Sequence, residues 1–91
     1  MDRTILVGRV CSNPSMIDSN GACYTKFALA NSIVDSYGNE EIRWHDIIAT
    51  GKQARICCEH LNKGDLCRIE GYTNGGSVIV EQVVCLPKSK Y

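Results

Sequence analysis

The chain has no apolar run approaching the ~18 residues that a membrane-spanning helix requires, so a helical membrane protein is excluded. It also has no net charge, since ten Lys and Arg balance ten Asp and Glu. A polyanionic partner is therefore not implied by charge alone and would need the basic residues gathered on one side. No Cys-x-x-Cys or His-x-x-x-His pair occurs, although there are six cysteines, at 11, 23, 57, 58, 67 and 85. Only Cys57-Cys58 and His60 cluster, on a predicted helix, and no second pair accompanies them, which argues against a zinc site. Four of the six (Cys11, Cys23, Cys67 and Cys85) lie in apolar strand-like segments, where free cysteine behaves as a small buried hydrophobe. Reduced thiols are expected of a protein kept inside the cell. No paired carboxylates, nucleophile constellation or Gly-rich phosphate loop is present, so neither an enzyme nor a cofactor is expected. Finally, the start Met1-Asp2-Arg3 lacks the basic, apolar and small-residue parts of a signal peptide. A cytoplasmic protein is expected.

What is present suits one small folded domain. The length of 91 residues allows a single core, and the apolar fraction of 44% without low-complexity tracts argues against disorder. Five strand signals and one helix signal can be placed. The first strand covers about Arg3 to Cys11, with Gly8 as a bend or bulge inside it. Two turn-rich stretches, Ser12-Asn13-Pro14 and Ser19-Asn20-Gly21, bracket a loop. The second strand, about Ala22 to Ser32, sets Thr25, Phe27 and Leu29 on one face and Tyr24, Lys26 and Ala28 on the other. After a turn over 36–39, the third strand runs from about Ile42 to Thr50. Its alternation separates His45, Ile47 and Ala49 from Trp44, Asp46, Ile48 and Thr50.

Gly51 ends that strand, and Lys52 to Asn62 places Ala54, Cys57, Cys58 and Leu61 at helical spacing. Lys63-Gly64 forms the helix stop, with the glycine available for a left-handed cap. The last two strands, about Leu66 to Thr73 and Ser77 to Leu86, are joined by Asn74-Gly75-Gly76, a hairpin signal. Three strands, a helix and two strands suit an all-β domain, the five-stranded Greek-key barrel called the OB-fold, with one α-helix between strands 3 and 4. The domain spans 1–91, with its core over about 3–86 and a short C-terminal end at 87–91.

The residues also resemble a family. The opening MDRTILVGRV, followed by Asn13-Pro14, the Gly21 turn and KFALANS, is similar to the start of bacterial and phage single-stranded DNA-binding proteins. WHDIIATGKQA, the helix ending in LNKGDL, RIEGY and the closing VIVEQVVCL continue the likeness in order to about Leu86. The resemblance implies an OB-fold that binds single-stranded DNA without sequence preference, in replication, recombination or repair, in the cytoplasm at the nucleoid. The binding physics is a basic groove tracking phosphates and aromatic side chains stacked on bases.

Carried over residue by residue, Trp44 matches the family's stacking tryptophan, the alternative being a core tryptophan. Lys52 matches a basic position, and Arg3 and Arg9 share one side of the first strand, where both can meet phosphate. For Arg3 the alternative is an ion pair with an acidic neighbour across a subunit interface. Tyr24 and Lys26 place an aromatic beside a base, Tyr72 stands on the outward side of the fourth strand, and Tyr37 lies in the loop that folds over DNA in the family. The resemblance further implies a homo-oligomer, dimer or tetramer, with His45, Ile5 and Val7 at the contact.

Three departures reduce the expected site. The long basic and aromatic hairpin of the family is replaced by Asn74-Gly75-Gly76. Thr50 and Asp46 stand where relatives place aromatics or bases, and Asp35, Glu40 and Glu41 make the preceding loop acidic. The flexible linker and acidic tip that recruit other proteins are not seen after Leu86. Weaker binding over a shorter stretch of strand is expected, with a shallow salt dependence. The rival readings are an OB-fold adaptor resembling the primosomal replication proteins, with a replication protein as its main partner, and a purely structural barrel.

Overall fold

A computed structural model describes residues 2–86; the end at 87–91 lies outside the described residues. The elements are β1 (Arg3–Val10), β2 (Ser15–Ser19), β3 (Ala22–Val34), β4 (Glu40–Thr50), α1 (Gly51–His60), β5 (Leu66–Asn74) and β6 (Ser77–Cys85). The sheet order is β1-β5-β6-β4-β3-β2, and β1 returns to pair with β3 at Arg9↔Ala30 and Val10↔Leu29. That second pairing closes five of the strands into a barrel. All ladders are antiparallel except β4 with β6, which run parallel from Asp46↔Ser77 to Ile48↔Ile79. The expected OB-fold topology is present, with the helix between its third and fourth barrel strands.

The alternation read from the sequence decides what is buried. Thr25, Phe27 and Leu29 of β3 and Ile47 and Ala49 of β4 face inward, joined by Leu6, Val10, Cys67, Ile69, Val78 and Val80. Helix α1 closes one end of the barrel through Ala54 and Cys57, and Leu61 follows it into the core. Thr25 is the buried polar residue of this core, and its hydroxyl donates to the Ala54 carbonyl at 2.9 Å, which ties β3 to the helix. A buried hydroxyl left without such an acceptor would cost about 1–3 kcal/mol.

Four local features differ from the sequence expectations. The stretch taken as loop contains β2, which pairs with β3 from Ser15↔Lys26 to Ser19↔Ala22 around a tight turn at Asn20-Gly21, both with positive φ (51° and 80°). β2 and β1 occupy successive stretches of the same edge of β3. Between them Pro14 can donate no ladder bond, and the Ser12 hydroxyl accepts the Ala28 N–H at 3.0 Å instead. Second, Gly8 does not interrupt the β1–β5 register, which is regular from Arg3↔Tyr72 to Arg9↔Leu66. Its missing Cβ is needed because β1 crosses directly over the Ala30 carbonyl. The bulge lies at Glu70/Gly71, where a Cβ would strike the Ile79 carbonyl.

Third, the helix stops at His60 rather than Asn62. Leu61 is extended (φ −102°, ψ 136°) because it must turn into the core, and its N–H still donates to Cys57 at 3.1 Å. Gly64 has positive φ but serves the following loop, donating its N–H to the Val10 carbonyl at 2.7 Å. Fourth, of the four cysteines expected to be buried in strands only Cys67 is. Cys11 is half-buried just beyond β1, Cys23 lies on the overhanging β2–β3 hairpin, and Cys85 ends β6, both exposed. The other buried cysteine is Cys57, on the helix. Among the described residues no group of three or more His, Cys, Asp or Glu could hold a metal ion.

Candidate nucleic-acid interface

The β3–β4 ladder places the outward residues of the two strands in pairs: Tyr24↔Thr50, Lys26↔Ile48, Ala28↔Asp46, Ala30↔Trp44 and Ser32↔Ile42. Trp44 is 68% exposed. Its cross-strand partner is a single methyl group, so the indole has no large neighbour opposite to cover it. Exposing so large an apolar ring costs hydration free energy. A free flat π-surface is what base stacking uses.

Four to six residues further along β4, roughly 13–20 Å at the strand rise, lies a shallow groove of about 390 Å³ lined by Ala22, Cys23, Tyr24, Lys26, Ile48 and Thr50. It combines an aromatic ring, an ammonium group and an apolar floor.

The register carries this face around the barrel wall. Lys26 stands opposite Ile48, Ile48 beside Ile79, Ile79 opposite Tyr72, and Tyr72 opposite Arg3. Three of the residues expected at the site, Lys26, Tyr72 and Arg3, therefore form one cross-strand row, with Tyr24 and Trp44 flanking it on β3 and β4. Arg3 is not free in that row. Its guanidinium donates to Glu81 at 2.8 Å and Glu70 at 2.9 Å, and Arg68 lies 3.7 Å from the same Glu70. The hydrogen bond to Glu70 and then the Glu81 charge raise the Arg3 pKa. The ion pair that the sequence left open for Arg3 is thus made within the chain.

The remaining expected residues are placed elsewhere. Arg9 lies at the far end of β1 and donates to the Gly64 carbonyl at 2.7 Å. Lys52 is exposed in the first turn of α1, two residues beyond the groove residue Thr50. Tyr37, 89% exposed, sits at the tip of the β3–β4 hairpin, where it projects from a turn. There the Asp35 carboxylate accepts the N–H groups of Tyr37 and Asn39, each at 2.9 Å, and the bond from Asn39 leads in holding its pKa below the ordinary value. His45 is half-buried, with Nε2 2.7 Å from the Asn31 Oδ1. Ile5 and Val7 are 56% and 50% exposed on the outer face of β1.

Sequence reasoning missed three contributors to this face. Ile42 and Val34 are exposed on the projecting hairpin and continue the line of Trp44, through Ser32↔Ile42 and Val34↔Glu40. The period-2 step from Trp44 back to Ile42 was the available signal. Ile79, which links the two halves of the row, depended on the parallel β4–β6 pairing and had no local signal.

Comparison with known proteins agrees with this architecture. The family model described as the single-strand binding protein family matches residues 1–81. The chain is 37% identical over 76 residues to single-stranded DNA-binding protein 1 of Chlorobaculum tepidum, covering 78% of this chain and 47% of that protein. It is 31% identical over 74 residues to single-stranded DNA-binding protein 2 of Clostridium acetobutylicum, covering 78% and 56%. The chain thus spans about half the length of these two relatives. Among solved structures it is similar to a Plasmodium falciparum SSB in complex with ssDNA, with a TM-score of 0.78, 20% identity and 96% of each chain covered. A small single-stranded DNA-binding protein from Streptomyces coelicolor matches with the same TM-score at 17% identity, over 92% of this chain and 91% of that one.

Proposed function

The chain belongs to the single-strand binding protein family, and on that premise we propose that it binds single-stranded DNA without sequence preference along the outer face of β3 and β4. Trp44 stacks on one base and Tyr24 on another, Lys26 meets the intervening phosphates, and Tyr72 extends the track around the barrel. Arg9, Lys52 and Tyr37 are peripheral contacts. The observation that carries this reading is the 68% exposure of Trp44 on the same face as the Tyr24–Lys26 groove. The protein acts by binding, not catalysis, in replication, recombination or repair at the nucleoid; no helix among the described residues is long and apolar enough to cross a membrane.

The test is equilibrium binding of labelled poly-dT. Trp44→Ala lowers affinity by about 5- to 150-fold if one stack of ~1–3 kcal/mol is lost. Lys26→Ala weakens binding and flattens the salt dependence by about 0.7 in log–log slope. Wild-type affinity in both variants would overturn the reading.

The same barrel assembles as a homo-oligomer. Apart from Arg9 and Val10, the pairings of β1 among the described residues are all with β5, so one edge from Arg3 to Gly8 is open to a second copy. Ile5 and Val7 flank that edge, and His45 on β4 is in line with its closed end through Leu29, which pairs with Val10. Light scattering that finds a single-chain mass at micromolar concentration would remove this part. A second reading, an adaptor for a replication protein, is favoured by one observation: the line of Val34, Ile42 and Trp44 has Asp46 beside it and its nearest outward cation, Lys26, two ladder pairs beyond Trp44 on β3. Binding assays in which poly-dT fails but a folded protein partner is captured at Trp44 would select it.

A further inference from the structure

Cys67 and Cys85 stand directly opposite each other on β5 and β6. The Leu86 N–H donates to the Leu66 carbonyl at 2.9 Å, which makes Leu66 and Leu86 a hydrogen-bonded pair of the antiparallel ladder. Pairs alternate along such a ladder, so Cys67 and Cys85 form a non-hydrogen-bonded pair. Directly opposed Cα atoms there lie about 4.5 Å apart with their side chains turned toward each other. That separation falls inside the range a disulfide spans. The two thiols also differ in access: Cys67 is fully buried and Cys85 is exposed.

From this arrangement we propose that Cys67 and Cys85 form a reversible cross-strand disulfide, with Cys85 as the entry thiol and Cys67 as the resolving thiol. The co-reactant is a small-molecule disulfide. The Cys85 thiolate attacks one of its sulfurs, forms a mixed disulfide and expels one small thiolate. The Cys67 thiolate then attacks the Cys85 sulfur and expels the second. Two protein thiols are oxidised, one disulfide is reduced, and the two protons end on the released thiols. The bond staples the end of the last described strand to its neighbour.

The other cysteines compete poorly. Cys57 is buried on α1 beside both thiols, so no small disulfide reaches it first. Cys57-Cys58 are adjacent within a regular helix, whose geometry holds neighbouring side chains apart. Cys11 lies just beyond the end of β1, its thiol donating to the Arg9 carbonyl at 3.4 Å, and Cys23 lies on the β2–β3 hairpin, and neither stands opposite Cys85 in a ladder. Burial raises the Cys85 thiol and pushes Cys67 up to about 11. The reaction is therefore slow at neutral pH and accelerates as the solution becomes alkaline.

The experiment incubates the folded chain with excess oxidised glutathione at mildly alkaline pH, blocks the remaining thiols and maps tryptic peptides without reduction. The expected product links the peptide ending at Arg68 to the peptide beginning at Ile69, and dithiothreitol releases it. Cys85→Ser abolishes the link, and Cys57→Ala leaves it intact. Cys67→Ala leaves glutathione on Cys85. Glutathione persisting on Cys85 of the wild type, a link from Cys85 to Cys57, or no modification at all would overturn the proposal.

Discussion

The Arg3 guanidinium reaches Glu81 at 2.8 Å across the wall of the barrel, although the two residues lie near opposite ends of the chain. The β1–β5 register sets Arg3 beside Tyr72, and the bulge at Glu70/Gly71 displaces β6 so that both Glu70 and Glu81 come within reach. One cation of the proposed binding row is thereby occupied by two carboxylates, each of which repels an approaching phosphate.

Glu81→Gln is therefore expected to strengthen binding of poly-dT and to steepen its salt dependence, by up to about 0.7 in log–log slope for one added phosphate contact. Arg3→Ala in the otherwise native chain is expected to change both less than Lys26→Ala does. Titrations over a salt series on the three variants check the order.

The close approaches at the glycines predict a stability effect without any role for ligand. A methyl group on Gly71 would run into the Ile79 carbonyl, and one on Gly8 into that of Ala30. Backbone atoms of a paired strand cannot move aside as a side-chain end can, so Gly71→Ala should cost about 1–3 kcal/mol. Urea unfolding monitored by circular dichroism measures it. By contrast, the open space around Gly38 makes steric collision irrelevant there.

At the hairpin tip the Asp35 carboxylate is held in its charged form by the N–H groups of Asn39 and Tyr37. A depressed folded pKa means that this local support is complete above the ordinary aspartate value of 3.8 and is lost as the pH falls through the lower folded value. The amide proton shifts of Tyr37 and Asn39 should hold steady down to that ordinary value and move together only below it. Asp35→Asn, which keeps an acceptor oxygen without the charge, removes the transition.

Much of the barrel was legible because its inward residues alternate: Phe27 and Leu29, then Ile47 and Ala49, then Cys67 and Ile69 are all buried. Trp44 and Lys26 fell on the outer face by the same count. β2 was not legible, since Ser15 to Ser19 shows no alternation and exists through its pairing with β3. The one local signal for it is Asn20-Gly21, a turn pair that in a hairpin implies a strand on each side. Arg3's partners could not be read either, because they depend on a bulge and a register that bring together residues 67 and 78 positions apart. Cys85 is exposed as the last residue of β6, which its apolar sequence context conceals.

The central claim is that Trp44 stacks on bases, and its own fluorescence reports on that most directly, because the chain has a single tryptophan. Titration with unlabelled poly-dT at low and moderate salt is the measurement. Saturating quenching that weakens as salt is raised, and that Lys26→Ala reduces, is the predicted result. Unchanged fluorescence at low salt from protein shown to be folded would contradict stacking at Trp44 and with it the proposed DNA track.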